Sequence, residues 1–127
     1  MFDSAVLRER LEGILEVLQR IPRRMADISS ADSFAESDEG KDRLDAICMT
    51  LIAVGEAFKQ IDRKTDGTLL ARYSEVDWPG VMGVRDVIAH GYFDVDADEV
   101  FAICQTDIPS LIETVRKMLN DAVRQDG

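Results

Sequence analysis

The sequence contains one histidine and two cysteines, and it has no long run of apolar residues. Cys48 and Cys104 lie far apart within apolar patterns and match no CxxC or zinc-ligand spacing, which predicts reduced thiols buried in a core. We therefore expect a cytoplasmic protein. No stretch approaches the roughly 18 apolar residues of a transmembrane helix, and the first residues lack the layout of a signal peptide. No membrane segment is expected.

The sequence has fewer basic than acidic residues, 15 Lys and Arg against 25 Asp and Glu, which gives a net charge of -10. This charge repels nucleic acid at long range, so a polyanion has to bind at a local basic patch. A single histidine without a paired carboxylate motif at ligand spacing leaves no predicted metal site. No glycine-rich phosphate loop or nucleophile elbow is present, so no cofactor is predicted.

The composition is globular, with 46% hydrophobic and 31% charged residues in a chain of 127. This length predicts a single domain over residues 1–127 that folds without disulfides or metals. No run alternates apolar and polar residues with period two, so no strand is predicted. Apolar residues recur every three or four positions, as in helices with one buried face. The sequence predicts an all-α, antiparallel up-and-down bundle of four to five helices.

The apolar pattern divides the first half of the chain into two helices. The first is predicted over residues 7–28, with a bend at Pro22 because proline removes a backbone donor. The second starts near Glu39 and ends at Gly67, which can adopt the left-handed conformation that ends helices. Gly55 lies within the apolar face of this helix and indicates close packing of a neighbouring helix.

Shorter helices are predicted in the second half. The third runs from Pro79, in its first turn, to His90, and Gly91 ends it. Asp96 is followed three residues later by Glu99, the spacing of a capping box. A fourth helix is therefore predicted to start near Ala97. Residues 107–109 then interrupt the pattern before a terminal helix.

The only histidine lies in the stretch GVRDVIAHGYFDVD, residues 83–96. On a regular helix Asp86 and His90 are same-face neighbours, so the carboxylate could orient the imidazole and favour its protonated form. The last turn of a helix favours the imidazolium further, through the helix dipole. Arg85 is five positions before His90, about 140° away around the helix axis. Tyr92 follows two positions after the histidine.

Each of these residues also has an ordinary structural interpretation. His90 could simply be a helix cap that hydrogen-bonds to the free carbonyls at the helix end. Arg85 could be a surface ion-pair partner, and Tyr92 could be half-buried with its hydroxyl in water. A guanidinium, an imidazole and a phenol together beside a helix end, however, are what phosphate chemistry requires. The group therefore predicts a site that acts on a phosphate.

Arg85, His90 and Tyr92 reproduce an Arg-x4-His-x-Tyr motif, and almost the whole chain resembles the HepT-like toxins, a branch of the HEPN superfamily of ribonucleases. Residues 78–96 carry the resemblance most specifically. It implies metal-independent endoribonuclease activity on RNA, with Arg85 stabilising phosphate charge, His90 as acid or base and Asp86 orienting the histidine. One histidine per chain, and the general arrangement of HEPN ribonucleases, imply a homodimer whose two motifs meet across a two-fold axis.

The resemblance also implies that the protein is the toxin of a type VII-like toxin-antitoxin pair. In such pairs a minimal nucleotidyltransferase antitoxin, MntA, transfers AMP to the motif tyrosine, here Tyr92, and the added anion fills the cleft and repels RNA. A second interpretation stays open, which is a non-catalytic helical module that binds a nucleotidyltransferase partner. The net charge of -10 favours it, because a free ribonuclease benefits from attraction to its substrate.

Overall fold

A computed structural model describes residues 3–89 and 94–126 of the chain. These two ranges consist of helices joined by turns. The β pairing within them is limited to one isolated antiparallel bridge, between Ala89 and Val95. The all-α bundle predicted from the apolar spacing is therefore confirmed. Within the same ranges, no helix is both long enough and apolar enough to span a bilayer.

The first predicted helix is two helices. α1 spans Ser4–Leu18 and α2 spans Arg20–Arg24, with a turn at Gln19 between them. The prediction of one continuous helix over residues 7–28 was wrong because the ring of Pro22 crowds the carbonyl four residues earlier, on the last residue of α1, and the helix breaks there. Residues 25–30 are not helical, although Ile28 is still buried.

α3 is the longest helix, Asp38–Lys64. It starts one residue before the predicted position because the hydroxyl of Ser37 accepts a hydrogen bond from the Gly40 backbone N–H at 3.0 Å, a helix cap that satisfies an end donor. It ends just before a left-handed turn, where Gly67 has φ 75°. Glycine carries no Cβ and adopts this conformation without strain. Both predicted ends of this helix are confirmed.

The predicted third helix is interrupted at Gly83, giving α4, Trp78–Met82, and α5, Val84–Ile88. Its predicted extension to His90 was wrong. Ala89 is extended and pairs with Val95, and the carbonyl of Ile88 accepts the backbone N–H of Asp96 at 2.7 Å. That bond occupies the acceptor that another helical turn would use, so the helix ends at Ile88.

α6, Ala97–Ala102, begins where predicted, because the carboxylate of Asp96 accepts the Glu99 backbone N–H at 3.1 Å. The predicted interruption is not a break. A π-helical turn, Ile103–Asp107, joins α6 directly to α7, Ile108–Asp126. Pro109 cannot donate the usual helical hydrogen bond, and the wider turn just before it keeps the chain helical.

The core is formed mainly by α1, α3 and α7, with α1 in contact with both of the others and with α4 and α5 packed on α3. The fully buried side chains include Leu11, Leu18, Phe58, Ile61, Ile88, Val115 and Met118. Burial of this kind stabilises a fold by about 1.5–3 kcal/mol for each large apolar side chain. Cys48 and Cys104 are also buried and form no disulfide, as predicted.

The connection into α4 is anchored by polar bonds from aromatic residues. The indole N–H of Trp78 donates to the carbonyl of Tyr73 at 2.9 Å, and the Tyr73 hydroxyl donates to the Asp121 carboxylate at 2.7 Å. The Trp78 ring lies 4.9 Å from that of Phe58, centroid to centroid. Because Asp121 is on α7 and Phe58 on α3, the start of α4 is held against both helices.

Gly55 is where α3 comes closest to α4. A Cβ built on Gly55 would lie 2.7 Å from the backbone carbonyl oxygen of Val81 and 3.3 Å from the Val84 side chain. Only hydrogen fits in the space between the two backbones. The predicted role of this glycine in close packing is confirmed.

Substituting Gly55 with alanine should therefore destabilise the fold. We expect Gly55→Ala to lower the free energy of unfolding by about 1–3 kcal/mol, the usual effect of overpacking a close contact. Gly13 on α1 is the matched control because a Cβ there has no neighbour within 4 Å. Gly13→Ala should raise the free energy of unfolding by up to about 1 kcal/mol, through helix propensity. Urea unfolding followed by circular dichroism measures both, and equal stability of the two variants would contradict the packing argument.

Candidate functional site

α5 presents two of the predicted site residues to solvent. Val84 and Ile88, four positions apart and on one face of the helix, are buried against the core. Arg85 and Asp86 lie on the exposed side of the same helix. The helix is thus fixed by its apolar face, and a guanidinium and a carboxylate project from the opposite side.

His90 and Tyr92, the other two predicted site residues, lie outside the described residues. α5 ends at Ile88 and Ala89 is extended, so the helix expected to carry Asp86 and His90 together stops before residue 90. Because His90 lies outside the described residues, the orienting role of Asp86 stays a prediction.

A bridge between Ala89 and Val95 lies at the C-terminal end of α5. The hydrogen bond from the Asp96 N–H to the Ile88 carbonyl reinforces that pairing. Arg85 lies one helical turn from the bridge.

Arg85 differs from two other arginines in the partners of its guanidinium. Arg24 donates to the Thr50 hydroxyl at 2.9 Å, and Arg43 pairs with Glu39 at 2.7 Å and with Asp27 at 3.4 Å. Among the residues in the two described ranges, Arg85 has no ion-pair or hydrogen-bond partner for its guanidinium. Within these ranges, no contact neutralises its charge.

Other nucleophilic groups in the described ranges are buried and protonated at neutral pH. Burial, with a smaller effect of Asp45, raises the pKa of the Cys48 thiol to about 11. Burial raises the pKa of the Cys104 thiol to about 12. The pKa of Tyr73 is raised to about 12 by burial and by its hydrogen bond to Asp121. None of the three is a candidate nucleophile, because the reactive form of each is the deprotonated one.

The described residues contain no group of three or more His, Cys, Asp or Glu side chains that could hold a metal ion. They do contain a groove, of about 390 Å³, on the side of α5 that carries Val84 and Val87. This groove was not predicted from the sequence, because the segments that line it are far apart in the chain. No spacing within one segment could have indicated it.

The chain combines an all-α bundle with the sequence motif Arg-x4-His-x-Tyr at residues 85–92. Residues 7–118 match the family described as "Ribonuclease HepT-like". The match covers most of the 127 residues, and the chain belongs to the HepT-like ribonuclease family.

Similar proteins are known from archaea and bacteria. A candidate RNase of Methanocaldococcus jannaschii is 25% identical over 120 residues, covering 94% of this chain and 93% of its own. A candidate RNase of Caldanaerobacter subterraneus subsp. tengcongensis is 27% identical, covering 88% of this chain and 93% of its own. The "Probable ribonuclease HepT" of Thermococcus cleftensis is 28% identical, covering 87% of this chain and 96% of its own. No solved structure matches the chain significantly.

Proposed function

We propose that the protein is a metal-independent endoribonuclease that acts as the toxin of a toxin-antitoxin pair. The observation that supports this most directly is the exposed Arg85 guanidinium, which has no partner in the described ranges and lies on a helix fixed to the core. It is five positions before the only histidine, His90. Membership of the HepT-like ribonuclease family supports RNA as the substrate.

The proposed reaction uses the substrate's own 2'-hydroxyl as the nucleophile. A base removes the 2'-hydroxyl proton, and the oxygen forms a bond to the adjacent phosphorus. The bond from phosphorus to the 5'-oxygen breaks, and an acid protonates that oxygen. The products are a 2',3'-cyclic phosphate and a 5'-hydroxyl. Arg85 stabilises the charge that develops on the phosphate oxygens, and His90 supplies the acid or the base.

A homodimer supplies the second acid-base group. One chain has a single histidine, whereas the reaction needs one group that accepts a proton and another that donates one. Two motifs facing each other across a two-fold axis provide two imidazoles and two guanidiniums. Asp86, exposed on α5 beside Arg85, is proposed to act on the histidine of this shared cleft without the helical register first assumed.

Regulation by an antitoxin completes the proposal. A minimal nucleotidyltransferase of the MntA type transfers AMP from ATP to the Tyr92 hydroxyl and releases pyrophosphate, which adds an anion beside the guanidiniums. The attached phosphodiester then occupies the position of the substrate phosphate. The protein is proposed to act in the cytoplasm, where its RNA substrates and ATP are found.

Removal of the two motif groups should abolish cleavage without affecting the fold. We expect Arg85→Ala and His90→Ala each to reduce RNA cleavage by at least about 100-fold, as for loss of a charge-stabilising or acid-base group. Cleavage by the wild type should persist in EDTA and leave a 2',3'-cyclic phosphate end. Arg63→Ala is the matched control, because Arg63 is also an exposed helical arginine. Gel analysis of a labelled RNA measures all three variants, with thermal unfolding as the check on folding.

Two results would contradict the catalytic proposal. Cleavage that EDTA abolishes and magnesium restores would place the chemistry at a metal site. Undetectable cleavage by the wild type, together with tight binding to a nucleotidyltransferase, would favour the non-catalytic binding module. Growth arrest on expression of the wild type but not of His90→Ala separates these two functions in cells.

The shared cleft predicts that both histidines of a dimer are needed together. A mixed dimer of the wild type and His90→Ala retains one imidazole, and the reaction needs both an acid and a base. We therefore expect the mixed dimer to cleave RNA at least about 100-fold more slowly than the wild-type dimer. Two different affinity tags isolate the mixed dimer after the two chains are refolded together, and light scattering confirms its mass. A mixed dimer with half of the wild-type activity, or an active wild-type monomer, would exclude the shared cleft.

Transfer of AMP to Tyr92 should inactivate the enzyme without unfolding it. Incubation with an MntA-type nucleotidyltransferase, ATP and magnesium should add AMP mass units to the wild type but not to Tyr92→Phe, with cleavage lost in parallel. Tyr73→Phe is the control tyrosine because its hydroxyl is bonded to Asp121 inside the fold. Intact mass spectrometry follows the modification. Modification of another residue, or a modified protein that still cleaves RNA, would reject this regulation.

A further inference from the structure

The groove beside α5 has an apolar floor, and neither Arg85 nor Asp86 lines it. It lies between α3, α4, α5 and the π-helical turn that leads into α7, with a volume of about 390 Å³. Its floor is formed by Leu51, Val54, Val81, Val84, Ile108 and Leu111. Val87 lies at its edge and is 39% exposed, which is unusual for a large apolar side chain in this fold. This size is within the range of binding clefts in proteins, about 300–1,000 Å³.

The rim of the groove is negatively charged. Glu75, Asp77, Glu99 and Asp107 line it, all four are exposed, and its lining within the described ranges includes no Lys, Arg or His. Lys117 approaches Glu75 from outside at 3.8 Å, a long contact between two exposed groups. Such a pair contributes little, so the rim stays anionic.

The carboxylates are too far apart for one small cation. Glu99 and Asp107 lie at opposite ends of an uninterrupted helical segment of eight steps, on the order of 10 Å apart along its axis. Glu75 and Asp77 line the groove from another segment, the connection into α4. A molecule that contacts all four carboxylates and the apolar floor needs several positive groups spaced along its length and apolar groups between them. A basic amphipathic helix has this pattern, with side chains about two turns apart.

A second copy of this chain is a poor occupant. A second copy would have to bring an available basic stretch to this acidic rim. The densest basic stretch, at Arg20, Arg23 and Arg24, is already engaged in part. Arg20 pairs with Glu16 at 3.2 Å and Arg24 donates to Thr50 at 2.9 Å. The charge of the groove therefore favours a different protein.

We propose that this groove is a docking site for a basic amphipathic helix of a partner protein, whose apolar side chains enter the floor and whose Lys or Arg residues pair with the rim carboxylates. The site is separate from the ribonuclease chemistry. Binding can be measured without RNA, so failure of one proposal leaves the other intact.

A model peptide tests the docking site. The probe is a fluorescent helical peptide of about five turns, with leucines on one face and lysines and arginines on the other. We expect saturable binding by fluorescence anisotropy, weakened about tenfold in the double variant Glu99→Gln and Asp107→Asn, since each lost ion pair contributes up to about 1 kcal/mol. Val87→Ser should weaken binding several-fold because Val87 lines the edge of the groove.

The matched control removes the same charge elsewhere. Glu9 and Glu12 are exposed on α1 and do not line the groove. The double variant Glu9→Gln and Glu12→Gln should bind the peptide as the wild type does. A scrambled peptide of the same composition, which has no apolar face, should bind at least about tenfold more weakly, since it cannot fill the floor.

Several results would overturn the proposal. Equal weakening by both double variants would show attraction to the net charge alone. Equal binding of the scrambled peptide, or full displacement by spermidine, would show a simple cation site. A dimer of the protein that dissociates on Glu99→Gln and Asp107→Asn would show that a second copy occupies the groove. Absence of saturable binding by the wild type would remove the site altogether.

Discussion

The contact between Gly55 on α3 and the Val81 carbonyl on α4 is the constraint on which the position of the motif depends. At this distance only a glycine hydrogen fits between the two backbones. α4 then leads through Gly83 into α5, whose Val84 also packs beside Gly55. The backbone approach at one residue of the longest helix therefore fixes the helix that presents Arg85.

Features that depend on local chemistry could be predicted from the sequence. Asp96 starts α6 and Gly67 follows the end of α3 because a side-chain cap and a left-handed turn are decided within a few residues. The end of α5 could not be predicted. The Ile88 carbonyl is taken by the Asp96 N–H, and this bond joins two segments whose approach no local pattern specifies. The disturbance at Pro22 is local, and the sequence predicted it as a bend, although not as the end of a helix.

Two of the four candidate site residues can be placed in the structure. Arg85, chosen from the motif, and Asp86, chosen from its spacing to His90, are both exposed on one short helix. α5 ends at Ile88, and because His90 lies outside the described residues, its relation to Asp86 stays a prediction. The two sides of α5 also differ in charge. An anion that approaches from the groove meets only carboxylates among the charged groups of the lining, whereas one that approaches from the other side meets the Arg85 guanidinium beside the Asp86 carboxylate.

The packing of α1 on α7 governs when the chain can fold during synthesis. α1 makes its most extensive helix contact with α7, yet these helices leave the ribosome about 100 residues apart, a delay on the order of ten seconds at typical rates of translation. Throughout that interval Leu11 and Leu18, both fully buried in the finished fold, have no α7 to cover them. The nascent chain therefore exposes an apolar helix face that chaperones can bind, and the core closes only after α7 has emerged.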